Sequence, residues 1–274
     1  MLKIIIMALL IFIGMVGYDN ITDKAQPTTP VQQEQQKVSK HEKSAAMALF
    51  TSLLPPKEEW PSPVHKFYLA FNMDEVIDPI RQNPNWTSLD AMSRDIPQAL
   101  IAIEDHAFYN HGAIAVEGIL RATLANINAG EVVQGGSTLT QQFVKNVFLS
   151  HEQSMERKIE EAVLSLMLED NYSKDEILEL YLNTTYFGAG STGIKQASRT
   201  YFGKAPSALT LAEAAVIASL PYAPTGLNPL ENPEGCKKRQ LLVLAAMHKY
   251  GMINQGQLAE ARAEKIRLTN GTVM

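Results

Sequence analysis

From about residue 96 onwards, apolar positions recur at helical spacing, which predicts a chain built mainly of α-helices. Pro97 fits the first turn of a helix. Ser173 and Thr210 each begin a capping box at the start of a helix further along the chain. No segment of this core alternates apolar and polar residues as a strand does, so the predicted fold class is mainly α. The predicted helices are 99–104, 115–127, 156–170, 175–183, 211–220, 237–250 and 254–265.

The first residues form a different kind of segment, because residues 4–17 are apolar or small and carry no charge. As a helix they would cover about 21 Å, against a hydrocarbon core of about 30 Å. Leu2, Lys3 and Tyr18 extend this segment, and no small-residue cleavage site follows it. An uncleaved membrane anchor is therefore favoured over a cleaved signal peptide, and both interpretations place the remaining chain outside the cytoplasm.

Composition then divides the chain into an anchor or signal segment (1–18), a polar tether (19–54) and a globular domain (55–274). The tether is rich in Gln, Thr, Lys and Pro, so it cannot bury enough apolar surface to fold. Within the domain, residues 55–86 are expected to form short irregular or extended pieces, and the motif-bearing core spans 96–265.

Charge and cysteine content exclude several classes of protein. A net charge of −5 and a pI near 5.7 provide no basic field for nucleic acid, so an anionic ligand must be held by a local cluster. Cys236 is the only cysteine, which rules out an intramolecular disulfide and a cysteine-rich metal site. P-loop and HExxH motifs are absent from the sequence.

The first candidate for chemistry is the acidic pair Glu104 and Asp105, at the end of an apolar helix where the helix dipole disfavours negative charge. An aromatic neighbour such as Phe108 can raise a carboxylate pKa towards the range of a general base. The alternative is a pair of solvated helix-end charges. His106 and His111, five residues apart in a loop, favour hydrogen bonding over metal ligation.

A second cluster runs Gln-Gly-Gly-Ser-Thr-Leu-Thr-Gln-Gln from residue 134 to residue 142. Its glycines allow close backbone approach, and its hydroxyl and amide groups suit phosphate or sugar hydroxyls. The alternative is an ordinary polar, N-capped helix start. The candidate binding residues here are Gln134, Gly136, Ser137, Thr138, Thr140, Gln141, Gln142, Lys145 and Asn146.

A third cluster places Arg157 and Lys158 one helical turn before Glu161. Such spacing is typical of a solvated ion-pair ladder worth about 0.3–0.5 kcal/mol. The functional alternative is that both cations hold a diphosphate while Glu161 orients or balances them. Ile159 and Met167 are assigned to the apolar side of the same helix.

Together, the order and spacing of these clusters resemble the peptidoglycan glycosyltransferases of family 51, found in bifunctional penicillin-binding proteins and in monofunctional transglycosylases. The E-D-x-x-F-x-x-H-x-G motif is met at 104–113, except that Ala113 replaces the last glycine. G-x-S-T-x-T-Q-Q-x-x-K-N is met at 135–146 and R-K-x-x-E at 157–161. K-x-x-I-L-x-x-Y-L-N-x-x-Y-F-G is met at 174–188, and R-x-x-x-V-L-x-x-M at 239–247.

This resemblance implies a lysozyme-like helical lobe beside a smaller membrane-proximal lobe, and it implies polymerisation of lipid II into glycan strands. Glu104 would be the general base for an inverting transfer that releases undecaprenyl diphosphate. Lys145, Arg157 and Lys158 would meet the charge of the diphosphate. Glu161, the second catalytic residue, would position these cations or a divalent ion (Mg²⁺ or Mn²⁺). No cofactor is otherwise required, and no protein metal site is expected.

By the same resemblance, Asp105, Phe108 and His111 join the substrate-binding set. The partners would be lipid II, the growing glycan strand and the membrane; cell-wall synthesis proteins are possible partners that the residues do not identify. The domain would lie on the extracytoplasmic side of the bacterial cytoplasmic membrane, held by a single N-terminal anchor. Residues 113–133 would face lipid, or else form an ordinary core helix.

Two other classes of function remain as alternatives. A lysozyme-like hydrolase or lytic enzyme would also use one catalytic glutamate, although cleaving a neutral glycan needs no diphosphate clamp. A non-enzymatic membrane-anchored scaffold is the other class. Because the sequence contains no Ser-x-x-Lys and no Lys-Thr-Gly motif, a monofunctional enzyme without a transpeptidase domain is expected.

Overall fold

A computed structural model describes residues 68–119, 127, 135–149 and 154–274. The predicted anchor (1–18), the predicted tether (19–54), Gln134 and most of the 113–133 stretch lie outside these residues. Within the described part, no helix has the length and apolar content needed to cross a membrane. The chain divides into two compact units at the peptide bond between Pro79 and Ile80.

The described part of the first unit is helical, so the prediction of irregular or extended pieces there is wrong. Residues 68–71 are helical, and helix α1 follows at Asp74–Arg81, with its last two residues in the second unit. Acidic residues in its first turn and Arg81 in its last turn both match the helix dipole. Pro79 lies inside this helix, at a position where proline is normally unfavourable.

The second unit is also built of helices, and the predicted mainly α fold is confirmed. Its strand content, in the described ranges, is limited to two isolated bridges. A separate membrane-proximal lobe stays a prediction. The helices are α2 (Asp95–Glu104), α3 (Leu139–Phe148), α4 (Met155–Asn171), α5 (Lys174–Thr184), α6 (Ile194–Phe202), α7 (Leu211–Ser219), α8 (Pro233–Lys249) and α9 (Gln255–Ala263). Short 3₁₀ turns lie at Leu89–Ala91, Phe108–Asn110 and Pro206–Ala208.

Helix α7 is the centre of the core, since all its residues from 212 to 219 are buried. It packs against α2 and α8, and these two helices also pack against each other. Ile96 and Leu100 of α2 and Leu244 of α8 are fully or almost fully buried in this group. Each such side chain contributes about 1.5–3 kcal/mol through burial, so the orientation of α2 is firmly set.

Helix α3 belongs to a second group, in which it packs against α4 and α5. Capping boxes open several helices, because a side-chain oxygen satisfies an otherwise unpaired N–H group at each start. The predicted boxes at Ser173 and Thr210 are confirmed, and Thr138 forms a third with Gln141 at the start of α3. This last box fixes where the glycine-rich segment ends and α3 begins.

The buried face of α4 differs from the predicted one. Ile159, which the spacing assigned to the apolar side, is 58% exposed. Met167, assigned to the same side, is buried as predicted, and the inward side also carries Leu164, Ser165 and Leu168, together with the carboxylate of Glu161. The consequence is that a charged residue takes a core position on this helix.

Candidate active site

An open cleft with a volume of about 380 Å³ lies where α2 ends and α3 begins. It combines carboxylates, two histidines, glycines and hydroxyl groups, which are the groups that the first two sequence clusters supply. The described residues that line it are Glu104, Asp105, His106, Ala107, Asn110, His111, Ile114, Ala115, Val116, Glu117, Gly118, Gly135, Gly136, Ser137 and Thr138.

Glu104 is the last residue of α2, and its carboxylate is half-buried at the edge of the cleft. The side chain of Gln142, from α3, donates from Nε2 to Oε2 of Glu104 at 3.0 Å. The Tyr181 hydroxyl, from α5, donates to Oε1 of Gln142, also at 3.0 Å. Residues from three helices therefore meet at this carboxylate.

Asp105 follows directly and makes two charge-assisted contacts. Its carboxylate accepts from the backbone N–H of Leu139 at 3.1 Å and from Nε2 of His111 at 2.6 Å. The other ring nitrogen of His111 lies 2.6 Å from the carbonyl oxygen of Gly112. Both neighbours of the ring are acceptors, and donation to both of them requires the protonated, positively charged imidazolium.

The pKa of His111 reflects this arrangement. Burial lowers the pKa, but the hydrogen bonds to Asp105 and to the Gly112 carbonyl oxygen, with the Asp105 charge, raise it more. The positive charge of Lys174 opposes this rise. The net result is a raised pKa, which favours the imidazolium–carboxylate pair that ties the loop after α2 to the start of α3.

Phe108 and Thr140 lie behind the cleft, with both side chains fully buried. The ammonium group of Lys174 sits 4.5 Å from the centre of the Phe108 ring. Glu169 accepts hydrogen bonds from Lys174 at 2.7 Å and from the Thr140 hydroxyl at 2.6 Å. The assignment of Phe108 and Thr140 to substrate contact stays a prediction that this geometry does not favour.

The glycine-rich segment is divided between the cleft and the helix start. Gly135, Gly136, Ser137 and Thr138 line the cleft, but Thr138 is only 1% exposed and its hydroxyl donates to the Ala113 carbonyl oxygen at 2.7 Å. Gln141 is also buried, as the partner of Thr138 in the capping box. The N-capped helix start is thus confirmed, and a binding role for Thr138 and Gln141 remains a prediction.

The third cluster meets the second at Ser137. Lys158 donates to the Ser137 hydroxyl at 3.3 Å and also pairs with the carboxylate of Glu161. The guanidinium of Arg157 lies 3.8 Å from the same carboxylate. Glu161 is only 2% exposed, so the solvated-ladder interpretation is wrong for this residue, and its buried charge is neutralised by both cations.

Two predicted residues lie away from this arrangement. Lys145 and Asn146 are exposed on α3 and are not among the described residues that line the cleft. In the described part of the chain, no group of three or more His, Cys, Asp or Glu side chains could hold a metal ion.

Sequence reasoning missed Tyr181 and His106 as members of the site. Tyr181 is in the fourth motif, but its apolar helical spacing assigned it to the core, where it is indeed 1% exposed. His106 lines the cleft and stacks on Tyr250, with ring centroids 4.1 Å apart and planes 13° from parallel. No local pattern pairs residues this far apart in the chain.

Comparisons with known proteins agree with this arrangement. The transglycosylase family model matches residues 73–248. A Cupriavidus necator protein described as a candidate transglycosylase is 41% identical over 194 residues, which are 71% of this chain and 84% of that protein. Penicillin-binding protein 1A of Neisseria flavescens is 44% identical over 185 residues, 68% of this chain and 23% of its own length.

Penicillin-binding protein 2D of Bacillus subtilis is 44% identical over 181 residues, which cover 66% of this chain and 26% of that protein. The chain thus spans about a quarter of the length of these two penicillin-binding proteins. The matched region contains Glu104 and all the cleft-lining residues described above. Since the family model covers more than half of the sequence, this chain belongs to the transglycosylase family and is a peptidoglycan glycosyltransferase.

Proposed function

We propose that this glycosyltransferase polymerises lipid II into glycan strands, with Glu104 as the general base. One observation carries the proposal: the Glu104 carboxylate shares a cleft with the segment of Gly135, Gly136 and Ser137, and Lys158 donates to the Ser137 hydroxyl. A base and a donor segment with a cation beside it are the two requirements of a transfer that expels a diphosphate.

In the proposed reaction, the 4-hydroxyl oxygen of the acceptor sugar attacks the anomeric carbon of the growing chain. Glu104 takes the hydroxyl proton as the new carbon–oxygen bond forms. The bond between the anomeric carbon and the diphosphate oxygen breaks on the opposite face, so the configuration inverts. Undecaprenyl diphosphate leaves with the bonding electrons and therefore gains negative charge.

That charge would be met by the cations near Ser137. Lys158 is 45% exposed and already reaches the cleft segment, while Arg157 is held beside it by Glu161. Lys145, exposed on α3, would approach the diphosphate from outside the described cleft lining. Glu161 would act as a positioning carboxylate, because two unpaired cations so close together would otherwise repel each other.

The location of the reaction follows from the chemistry of its substrate. Lipid II is membrane-bound, so the proposal includes a cytoplasmic-membrane enzyme with its catalytic domain on the extracytoplasmic side. The N-terminal anchor predicted at 1–18 is part of this proposal. A divalent ion (Mg²⁺ or Mn²⁺) at the diphosphate is a further part, tested by adding each ion to a polymerisation assay and by removing it with a chelator.

The test is polymer formation from purified lipid II by wild type, Glu104→Gln and a matched control. Glu104→Gln keeps the size of the side chain but removes the base, so polymer formation should fall by at least about 100-fold. Glu260→Gln, which removes an exposed carboxylate from α9, should leave the yield unchanged. Near-normal yield from a folded Glu104→Gln variant would overturn the assignment of the base.

The hydrolase alternative has its own outcome in the same assay. If wild type shortened finished glycan strands and built none from lipid II, a lysozyme-like cleavage reaction would replace the proposed transfer.

A further inference from the structure

The chain of hydrogen bonds from Tyr181 through Gln142 to Glu104 links the core of the domain to the proposed base. Tyr181 is 1% exposed on α5, Gln142 is half-buried on α3, and Glu104 ends α2. Both hydrogen bonds are 3.0 Å long. Within the described part of the chain, the bond from Gln142 is the only side-chain hydrogen bond of the Glu104 carboxylate.

The donor and acceptor chemistry of the three side chains sets the direction of these hydrogen bonds. An ionised carboxylate only accepts hydrogen bonds, so the amide nitrogen of Gln142 must face Glu104. The amide oxygen then faces Tyr181, and the phenol must donate to it. Reversing the amide would place its oxygen against the Glu104 carboxylate, which is repulsive, so the carboxylate selects one amide orientation and the phenol stabilises it by donating to the amide oxygen.

The phenol can serve in this way because it keeps its proton. Burial raises the pKa of Tyr181, the negative charge of Glu104 raises it further, and the Thr185 hydroxyl beside it opposes the rise. Tyr181 is therefore a neutral donor throughout the pH range in which a glutamate base operates.

We propose that Tyr181 is a positioning residue for glycosyl transfer: through Gln142 it holds Oε2 of Glu104, so that Oε1 receives the acceptor proton. This inference rests on the proposed role of Glu104. The carboxylate would otherwise rotate about its side-chain torsions, and misplacement of a reacting group by about 1 Å costs up to about 100-fold in rate. Tyr181 itself touches neither the sugar nor the diphosphate.

The inference gives Gln142 a role different from the direct substrate contact predicted from its motif. One amide hydrogen is committed to Glu104 and the amide oxygen is committed to Tyr181. The second amide hydrogen and the second lone pair of the amide oxygen remain for a ligand. Removing Gln142 should therefore affect turnover first and substrate binding second.

The experiment measures kcat, KM for lipid II and the pH profile of kcat for Tyr181→Phe, Gln142→Leu and the double variant. Tyr181→Phe should lower kcat by about 10-fold with KM changed less than about 2-fold, since orientation is lost and binding is kept. The acidic limb of the profile should move to higher pH, because a weaker donor stabilises the Glu104 carboxylate less.

Because Tyr181 acts through Gln142, the double variant should be no slower than Gln142→Leu alone. Tyr201→Phe is the matched control: its hydroxyl is fully buried and donates to the Phe187 carbonyl oxygen at 2.7 Å, outside the cleft. It should lower the melting temperature about as much as Tyr181→Phe, with kcat and the pH profile unchanged.

Three outcomes would overturn the inference: a wild-type kcat and pH profile in Tyr181→Phe, an equal loss of kcat in Tyr201→Phe, or losses that multiply in the double variant. Including Glu104→Gln separates this inference from the proposed function. If Glu104→Gln is inactive and Tyr181→Phe is normal, only the positioning role fails. If Glu104→Gln stays active, the assignment of the base itself fails.

Discussion

Replacing Asp105 by asparagine tests the network that joins the loop after α2 to the start of α3. In wild type, the carboxylate accepts from the Leu139 N–H and from His111, both of which are donors. Asparagine has one oxygen and one NH₂ group, so it accepts from only one of these two groups and offers the other an N–H in place of a charged acceptor. The variant thus loses one charge-assisted bond and weakens the other without changing the volume of the side chain.

The size of the effect follows from these two bonds. A hydrogen bond to a charged group contributes about 1.5–3 kcal/mol, and a neutral one contributes about 1 kcal/mol. Asp105 is 9% exposed, so water replaces little of what is lost. We expect Asp105→Asn to lower the free energy of unfolding by about 2–3 kcal/mol, which leaves a typical domain folded.

The same substitution should change how stability depends on pH. A histidine with a raised folded-state pKa contributes stability that is fully present below its unfolded pKa, near 6.5, and is lost as pH rises through the folded pKa. His111 has such a pKa because of Asp105. The stability gap between wild type and Asp105→Asn should therefore be larger at about pH 6 than at about pH 9.

Urea unfolding of both proteins at these two pH values measures the difference in their free energies of unfolding. The other histidines are present in both proteins, so their contributions cancel in this difference. Asp175→Asn is a suitable control, because this exposed carboxylate accepts from the Tyr109 hydroxyl at 2.7 Å, and burial raises the pKa of that phenol. The difference in unfolding free energy between wild type and Asp175→Asn should be small and independent of pH. A pH-independent gap for Asp105→Asn would refute the charged pair with His111.

Three further predictions concern other parts of the second unit. In a double-mutant cycle, Glu161→Gln and Lys158→Met should couple by about 1 kcal/mol in unfolding free energy, and additive losses would contradict their ion pair. Gly188→Ala should lower the melting temperature far more than Gly190→Ala. Both glycines have positive φ, but only at Gly188 would an added Cβ lie 2.2 Å from a backbone carbonyl oxygen. An equal fall in melting temperature for the two variants would contradict this close contact at Gly188. Cys236 is fully buried, and burial raises the pKa of its thiol to about 11. Iodoacetamide should therefore label the native protein at least about 100-fold more slowly than the urea-unfolded protein. Equal labelling rates for the two states would disprove this prediction.

Local patterns predicted the helices of the second unit well where a start signal accompanied the periodicity. Ser173 and Thr210 begin helices as expected, because capping depends only on residues within one turn. Helix α1 was missed because residues 55–86 were expected to be irregular or extended, although the charges at both ends of that helix favour it. Helix α6 was also missed, because its start has no capping side chain and depends on Gly193 at φ +84°.

The sequence predicted which residues belong to the candidate site better than it predicted how their side chains are arranged. Motif spacing identified Glu104 and Glu161, yet Ile159 was assigned to the buried side of α4 in place of Glu161. Periodicity ranks side chains by hydrophobicity, and it therefore cannot recognise a carboxylate that becomes buried with its own cations. Tyr181 was missed for the opposite reason, since a tyrosine at a core position looks structural until its partners are known.

The packing of α2 between α7 and α8 has a consequence for synthesis of the protein on the ribosome. Glu104 emerges early, but the helices that orient it, and Tyr250 that stacks on His106, are made much later. Contacts between distant parts of a chain form slowly, because a long loop must close before they add stability. The growing chain therefore carries Glu104, the proposed base, and the glycine-rich segment before the C-terminal helices that pack around them have been made.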